Sequence, residues 1–178
     1  MTAAASMRPE GFQRVAAALA QQGHPHAPLW LEVAARTSQE AADALGVEVG
    51  QIAKSVIFRR KAQEGSADGS ADSAVLVVAS GDRRVDEALV AAITGPLARA
   101  DAAFVKSQTG YSIGGVAPLA HARPVLTLID RELFRFSEIW AAAGHPNGVF
   151  RLSPEQLAQL TGAPVVDVVQ SVPSEVAR

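Results

Sequence analysis

Residues 51–58 read Gln-Ile-Ala-Lys-Ser-Val-Ile-Phe, and their alternating side chains predict a β-strand. One face of this strand carries a lysine among three large apolar residues: Ile52, Lys54, Val56 and Phe58. A lysine in that setting either extends to solvent or places its ammonium in a cavity that supplies polar partners. Taken alone, the pattern favours the first interpretation, because lysine is seldom fully buried. In the second, Lys54 could bind phosphate, carboxylate or carbonyl oxygens.

Other periodic stretches surround this strand with helices and further strands. Spacings of three and four residues predict helices over 9–22, 39–45, 85–93 and 154–161. A side chain that can cap the first turn precedes three of them: Thr37 or Ser38, Asp82 and Ser153. Apolar runs predict strands over 29–33, 75–79, 103–105, 125–129, 138–141, 149–152 and 165–169. This order predicts an α/β chain of the α+β type, with a mixed sheet rather than regular alternation.

Length and composition limit the class of protein. With 178 residues, 48% of them hydrophobic, the chain is expected to form one domain over 1–178. The 16 Lys and Arg against 18 Asp and Glu give a net charge of −2, which excludes a strongly basic nucleic-acid coat protein. The absence of cysteine excludes disulfides, thiolate metal sites and a cysteine nucleophile. Since no secretory signal or long apolar stretch is present, we expect a cytoplasmic protein with no membrane partner.

A second candidate site is the glycine loop, residues 109–118, which read Thr-Gly-Tyr-Ser-Ile-Gly-Gly-Val-Ala-Pro. Gly114 and Gly115 permit positive φ angles and leave backbone amides open to a ligand, while Pro118 stiffens the exit. Such a loop can hold an oxyanion, a carboxylate or a terminal ribose through main-chain donors. A Gly-Gly pair alone favours an ordinary turn. The glycine spacing matches neither a Walker loop nor a dinucleotide-binding fingerprint.

Other catalytic and metal-binding arrangements receive little support. The histidines are His24, His26, His121 and His145. Their spacing indicates no metal site, and no Gly-x-Ser-x-Gly elbow indicates a serine hydrolase. His145 and Asn147 lie in a predicted turn that could border a pocket or be a plain connector. The basic groups 59–61 and 83–84 could meet phosphates, although solvated charge at strand ends is the simpler explanation of each.

Taken together, residues 51–58 and 109–119 resemble the two signature segments of the YbaK/EbsC family, also called the prolyl-tRNA synthetase editing-domain family. The helix expected over 38–46 and the spacing between the two segments fit the same pattern. The joint match is far more specific than either segment and favours the site interpretation of both. The resemblance, which covers about residues 10–170, implies a small α/β domain with a mixed, barrel-like sheet surrounded by helices. Family members of known activity hydrolyse the ester between a mischarged amino acid and tRNA.

The same resemblance implies roles for individual residues. Lys54 is implied as the pocket lysine that engages the backbone or phosphate of the aminoacyl-adenosine end, and residues 114–118 as the holder of the substrate carbonyl and adenosine. The catalytic candidates are therefore Lys54, Gly114 and Gly115. The substrate-binding candidates are Ser112, Val116 and Pro118 in the loop, and Thr37, Ser38, His145 and Asn147 at the wall or rim of the pocket. In several relatives a water is activated with help from the substrate's own ribose hydroxyl, so neither a metal nor an organic cofactor is expected.

Two positions depart from the family pattern and bear on the substrate. Ala120 follows Leu119 where family members commonly have glycine, and residues 147–150 lack an aspartate that some members carry. The second difference favours a small amino acid such as alanine, serine or threonine over cysteine. The hypothesis is thus a freestanding trans-editing deacylase, with tRNA-Pro among the tRNAs that could carry the wrong amino acid.

Misacylated tRNA is the expected partner, and an aminoacyl-tRNA synthetase is a second candidate. The sequence does not indicate an oligomeric state. One alternative is a noncatalytic module that binds aminoacyl-adenosine or a small ligand in the same pocket. Another is a structural or partner-binding domain whose pocket is vestigial, which the alanine at position 120 would favour.

Overall fold

A computed structural model describes residues 8–62 and 71–172, and in these ranges eight strands form one mixed sheet with helices packed against it. The helices are α1 (Glu10–Gln21), α2 (Ser38–Leu45), α3 (Glu87–Thr94), α4 (Ala102–Thr109) and α5 (Pro154–Thr161). The strands are β1 (Leu29–Trp30), β2 (Ile52–Arg60), β3 (Ser73–Ser80), β4 (Leu97–Arg99), β5 (Leu126–Asp130), β6 (Ile139–Ala142), β7 (Gly148–Leu152) and β8 (Val165–Val166). Short 3-10 helices cover Val49–Gln51 and Arg131–Arg135. The predicted mixed α/β architecture is confirmed.

The strand β2 is central to the sheet, whose order is β1-β7-β6-β2-β3-β5-β8, with β4 also paired to β2. One edge of β2 pairs antiparallel with β3 from Ala53 to Arg60. The other edge pairs with β6 at Ile52 and Ala53 and with β4 from Phe58 to Arg60. Among the described strands, none pairs with residues 54–57 along this second edge. The sheet therefore has a gap beside the lysine of β2.

The two faces of β2 contact different parts of the core, as its alternation predicts. Ala53 and Ile57 pack with the main cluster, which also contains buried residues of α1, β3 and α5. On the opposite face, Phe58 packs against a second cluster, which contains Ala79 of β3. Lys54 lies on this face too and is the register partner of Ala79. Lys54 is thus on the face away from the main core.

Most predicted elements near the site are confirmed. The helix α2 begins after Thr37, whose Oγ1 accepts from the Glu40 amide at 3.1 Å, and ends at Gly46 with φ 69°. The helix α5 has the predicted capping box, in which Ser153 and Gln156 bond each other's backbone amides. Both helices therefore begin where a short polar side chain satisfies the free amides of the first turn.

Two predictions about local structure are wrong. Residues 103–105, predicted as a strand, lie in α4, because Asp101 caps that helix through the Phe104 amide at 2.8 Å. The helix α3 starts later than predicted, because Asp86 caps it rather than Asp82. A three-residue apolar run does not distinguish helix from strand, and the cap residues decide the outcome.

The remaining differences concern short strands. The strands predicted over 29–33 and 165–169 are reduced to β1 and β8, of two residues each, with an isolated bridge from Val169 to Val85, and β4 was not predicted. Pairing partners decide such short strands, and a single sequence does not identify them. No helix within residues 8–62 and 71–172 is long and apolar enough to cross a bilayer.

Candidate functional site

A cavity of about 380 Å³ lies against the gap in the sheet, beside residues 54–57 of β2. The strand wall of this cavity consists of residues 52–57 of β2, and the loop wall consists of residues 113, 114 and 116 together with His145. The start of α2 and its preceding residues, 35–38, close a third side. Two segments that are distant in sequence therefore share one cavity.

Lys54 supplies the cation of the strand wall. Its Nζ donates to the main-chain carbonyl of Arg83, which leaves two of its three N–H groups for a ligand. Burial lowers the pKa of Lys54, the negative charge of Asp82 opposes this shift, and Arg84 adds to it. The ammonium is thus partly desolvated and anchored at one of its donors.

Asp82 is the carboxylate beside this lysine, and a hydrogen-bond network holds it. The Arg135 Nη2 donates to its Oδ1 at 2.8 Å and the Ser80 hydroxyl donates at 2.9 Å. Although burial raises the pKa of Asp82, these two hydrogen bonds and the charges of Arg135 and Arg83 lower it overall. Asp82 therefore supplies a negative charge near Lys54 instead of the predicted helix cap.

The two glycines of the loop wall have different reasons to be glycine. Gly114 adopts φ 93°, a conformation that other residues rarely take. A Cβ on Gly115 would lie 2.6 Å from the His145 Cα, so Gly115 permits close contact between two backbone segments. The Gly115 amide donates to the Ser112 carbonyl at 3.0 Å and closes the turn. This amide is consequently used within the loop.

The end of the glycine loop is fixed by Tyr111. Its buried hydroxyl contacts the carbonyl oxygens of Leu119 and Ala120, each at 2.9 Å. Ala120 has φ 58°, in the left-handed region that favours glycine. The position where relatives commonly have glycine therefore keeps a glycine-like backbone in this chain.

His145 presents a neutral imidazole with a defined hydrogen position. Its Nδ1 accepts a hydrogen bond from the Asn147 amide at 3.0 Å, which assigns the ring hydrogen to Nε2. Burial lowers the pKa of His145, and the charge of Arg36 lowers it further. The loop wall thus contains an N–H donor that is uncharged near neutral pH.

The structure brings six of the ten predicted site residues together around the cavity: Thr37, Ser38, Lys54, Gly114, Val116 and His145. The other four do not line it, namely Ser112, Gly115, Pro118 and Asn147. Ser112 is exposed and Pro118 is buried. Gly115 and Asn147 contact His145, which itself lines the cavity. The roles of all ten in catalysis or substrate binding stay predictions.

Sequence reasoning missed several lining residues, among them Arg36, Ser55 and Trp140. Ser55 is on the opposite face of β2 from Lys54, and both line the cavity at the edge of β2 where no described strand pairs with residues 54–57. The sequence pattern of β2 does not predict that gap. The basic side chain at position 36, next to the predicted residues 37 and 38, is the one signal that could have been used.

The chemistry available in the cavity is that of hydrogen-bond donors and a cation. In the ranges 8–62 and 71–172, no group of three or more His, Cys, Asp or Glu side chains could hold a metal ion. Lys54, the main chain of the loop wall and the His145 Nε2–H can bind oxygen atoms of a ligand. Such an arrangement is suited to holding an ester or phosphate group and orienting a water molecule.

Comparisons with known proteins identify the family of this chain. Residues 32–160 match the family model of the aminoacyl-tRNA editing domain. The chain is 33% identical over 139 residues to the uncharacterized protein YwhH of Bacillus subtilis (strain 168), covering 77% of this chain and 83% of that protein.

Two crystal structures are similar over nearly their whole length. One is of a proposed trans-editing enzyme for prolyl-tRNA synthetase, with 36% identity, a TM-score of 0.80 and coverage of 92% of this chain and 99% of that one. The other is of the hypothetical protein APE2540, with 30% identity, a TM-score of 0.77 and coverage of 88% and 99%. The family match over residues 32–160 includes both walls of the cavity.

Proposed function

This chain belongs to the aminoacyl-tRNA editing domain family, and on that premise we propose that it is a freestanding hydrolase that removes wrongly attached amino acids from tRNA. The observation that carries the proposal is the shared cavity, which Lys54, residues of the glycine loop and His145 all line. A cationic donor and main-chain groups around one cavity suit the ester at the end of a charged tRNA. The similarity to a proposed trans-editing enzyme supports the same activity.

The reaction needs little covalent chemistry from the protein. The oxygen of a water molecule attacks the ester carbonyl carbon, and the bond from that carbon to the ribose oxygen breaks. The products are the free amino acid, as its carboxylate, and a tRNA whose terminal ribose regains its hydroxyl. As the family resemblance implies, the neighbouring ribose hydroxyl of the substrate helps to activate the water. The protein contributes by positioning these groups and by stabilising the developing oxyanion.

Lys54 and the glycine loop have complementary roles in this proposal. The two unused N–H groups of Lys54 bind the backbone or phosphate of the aminoacyl-adenosine end. Main-chain groups of residues 114 and 116 hold the carbonyl and the adenosine. Arg36, which also lines the cavity, adds positive charge toward the phosphate backbone of the tRNA.

A small amino acid fits the lining of the cavity. Short apolar side chains contribute to it, among them Ala35, Ala41, Val56, Val116 and Val149. In the proposed role the cavity accepts small side chains and excludes larger ones by size, which is how an editing site selects small errors left by a synthetase. Alanine, serine and threonine are therefore our proposed substrates, with tRNA-Pro as a carrier and the cytoplasm as the location. An aminoacyl-tRNA synthetase is a second candidate partner.

Deacylation of a panel of charged tRNAs tests the proposal. Alanine, serine, threonine, cysteine and proline would be attached to tRNA-Pro and to their cognate tRNAs, and ester loss followed with wild type, Lys54→Ala and Lys106→Ala. Lys106 is a matched control, because its Nζ also bonds a main-chain carbonyl, that of Gly110 at 3.0 Å, but lies outside the cavity. We expect rapid loss of a small amino acid with wild type and Lys106→Ala only. Binding without hydrolysis across the panel would contradict the proposal and identify a binding module.

A further inference from the structure

An aromatic stack supports His145 from a part of the chain that precedes the family match, which begins at residue 32. The rings of Trp30 and His145 are stacked, with centroids 4.9 Å apart and an interplanar angle of 28°. Phe12 packs edge-on against Trp30 at 5.4 Å, and the Arg8 guanidinium lies 4.4 Å from the Trp30 ring centroid. Residues of α1, the segment before it and β1 are thereby connected to the cavity.

The backbone around His145 is held as firmly as its ring. The Leu31 amide donates to the Asn147 carbonyl at 2.7 Å, and the Asn147 Nδ2 donates to the Leu31 carbonyl at 2.8 Å. The Asn147 amide occupies Nδ1 of the imidazole, and Gly115 packs against the His145 main chain. No described residue bonds Nε2, so Nε2–H is the donor that the ring can offer to a ligand in the cavity it lines.

We infer that Trp30 is a positioning residue for His145, and that their stack holds the imidazole so that its Nε2–H binds the substrate. This inference rests on the proposed function, because it gives the imidazole a substrate to bind. A planar ring stacked on the indole face restricts rotation of the imidazole further than the hydrogen bond to Nδ1 does alone. Misplacement of a binding group by about 1 Å can cost about a hundredfold in rate.

The charges around the stack favour the neutral imidazole that this role requires. Arg36 and Lys54 line the same cavity as His145, and Arg8 lies over Trp30. Burial and the charge of Arg36 both lower the pKa of His145. Protonation would also remove the acceptor that Nδ1 offers to the Asn147 amide. The Asn147 amide and these charges therefore keep the imidazole in the Nε2–H tautomer near neutral pH, and the stack holds that ring in place.

The test combines imidazole spectroscopy with kinetics. Long-range proton–nitrogen correlation spectra report the tautomer of each histidine, and a His145→Gln variant assigns the signal of His145. We expect an Nε2–H tautomer in wild type, loss of that single tautomer in Trp30→Ala, and a fall in kcat/KM of about tenfold to hundredfold. Trp30→Phe, which keeps a ring face, should retain both properties. Leu29→Ala is the control for β1, because Leu29 is half-exposed and does not line the cavity.

Melting temperatures separate positioning from folding. If Trp30→Ala does not fold, Trp30→Leu replaces it, since leucine keeps bulk but has no ring face. An unchanged His145 tautomer together with unchanged kcat/KM in the folded variant would overturn the inference. An unchanged tautomer with reduced activity would also overturn it, because Trp30 would then act by another route. The spectra do not depend on hydrolysis, so an inactive wild type would contradict the proposed function and leave the positioning result readable.

Discussion

The two walls of the cavity differ in how the chain builds them. The strand wall belongs to a regular strand whose pairing with β3 is continuous, and Lys54 follows from the alternation of that strand. The loop wall has no repeating hydrogen bonds and depends on left-handed backbone at Gly114, on close contact at Gly115 and on packing around His145. A change in the strand wall should therefore remove a chemical group, whereas a change in the loop wall should alter the shape of the site.

Replacement of Lys54 by methionine should have the largest effect. Lys54→Met keeps the length of the side chain but removes the ammonium, so we expect kcat/KM for deacylation to fall by about a hundredfold to a thousandfold. Stability should change little, because a partly buried charge is lost together with one hydrogen bond. Kinetics and urea unfolding measure both quantities. Retention of activity within about threefold would contradict the role of Lys54.

Replacement of Gly115 by alanine should affect activity and stability together. The new Cβ would lie 2.6 Å from the His145 Cα, so the loop and the turn at His145 must separate. We expect a loss of about 1–3 kcal/mol in the free energy of unfolding and a fall of about tenfold to hundredfold in kcat/KM.

Gly95→Ala is the matched control for this experiment. Gly95 has φ 90° but no atom within 4 Å of its added Cβ, so this change introduces backbone strain in open space. It should lower the melting temperature and leave kcat/KM unchanged. Equal effects of both glycine variants on kcat/KM would mean that the contact with His145 has no special part in the site.

The pH dependence of activity reports on both walls, because each wall contains one titratable group whose pKa is lowered. Burial and Arg36 lower the pKa of His145, so the imidazole becomes charged only below about 6.5, the ordinary histidine value, and we expect activity to fall there. Burial lowers the pKa of Lys54 despite Asp82, so activity should also fall at alkaline pH, below the ordinary lysine value of about 10.4.

Single-turnover rates across pH, corrected for enzyme-free ester hydrolysis, measure both limits. Because the folded state disfavours the charged imidazole, the pKa of His145 is lower in the folded protein than in the unfolded chain. The contribution of His145 to stability is therefore present above the unfolded pKa and is lost as pH falls through the folded pKa. His145→Gln should remove the acid limit and keep the alkaline one. An acid limit that persists in this variant would assign it to another group.

Replacement of Ala120 by glycine should have the smallest effect. Ala120 has φ 58°, and glycine adopts this conformation without the Cβ penalty of about 1–2 kcal/mol. The larger backbone freedom of glycine in the unfolded chain offsets part of the gain. We expect Ala120→Gly to stabilise the protein by less than about 1 kcal/mol in urea unfolding, with kcat/KM unchanged. Destabilisation would show that the alanine methyl contributes more by packing than it costs in strain.

The comparison of the walls also explains what the sequence could and could not predict. The alternation of residues 51–58 predicted β2, because side-chain period is a local property of a strand. The cap residue and closing glycine of α4, Asp101 and Gly110, were present in the sequence, and attention to them would have avoided the strand predicted there.

Other features of the site have no local signal. The gap between β4 and β6 depends on which strands pair, so the lining by Ser55 and Trp140 was not predicted. The stack of Trp30 on His145 joins residues far apart in sequence. Packing between distant segments fixes these features, and periodicity within one segment does not contain that information.

The central claim is that both walls bind one aminoacyl-adenosine end. It is tested most directly by titrating labelled protein with alanyl-adenosine in which a stable amide replaces the ester, and following backbone amide shifts by NMR. We predict that Ser55 of the strand wall and Val116 of the loop wall shift together with one binding constant. Shifts confined to one wall, or located away from the cavity, would contradict the account.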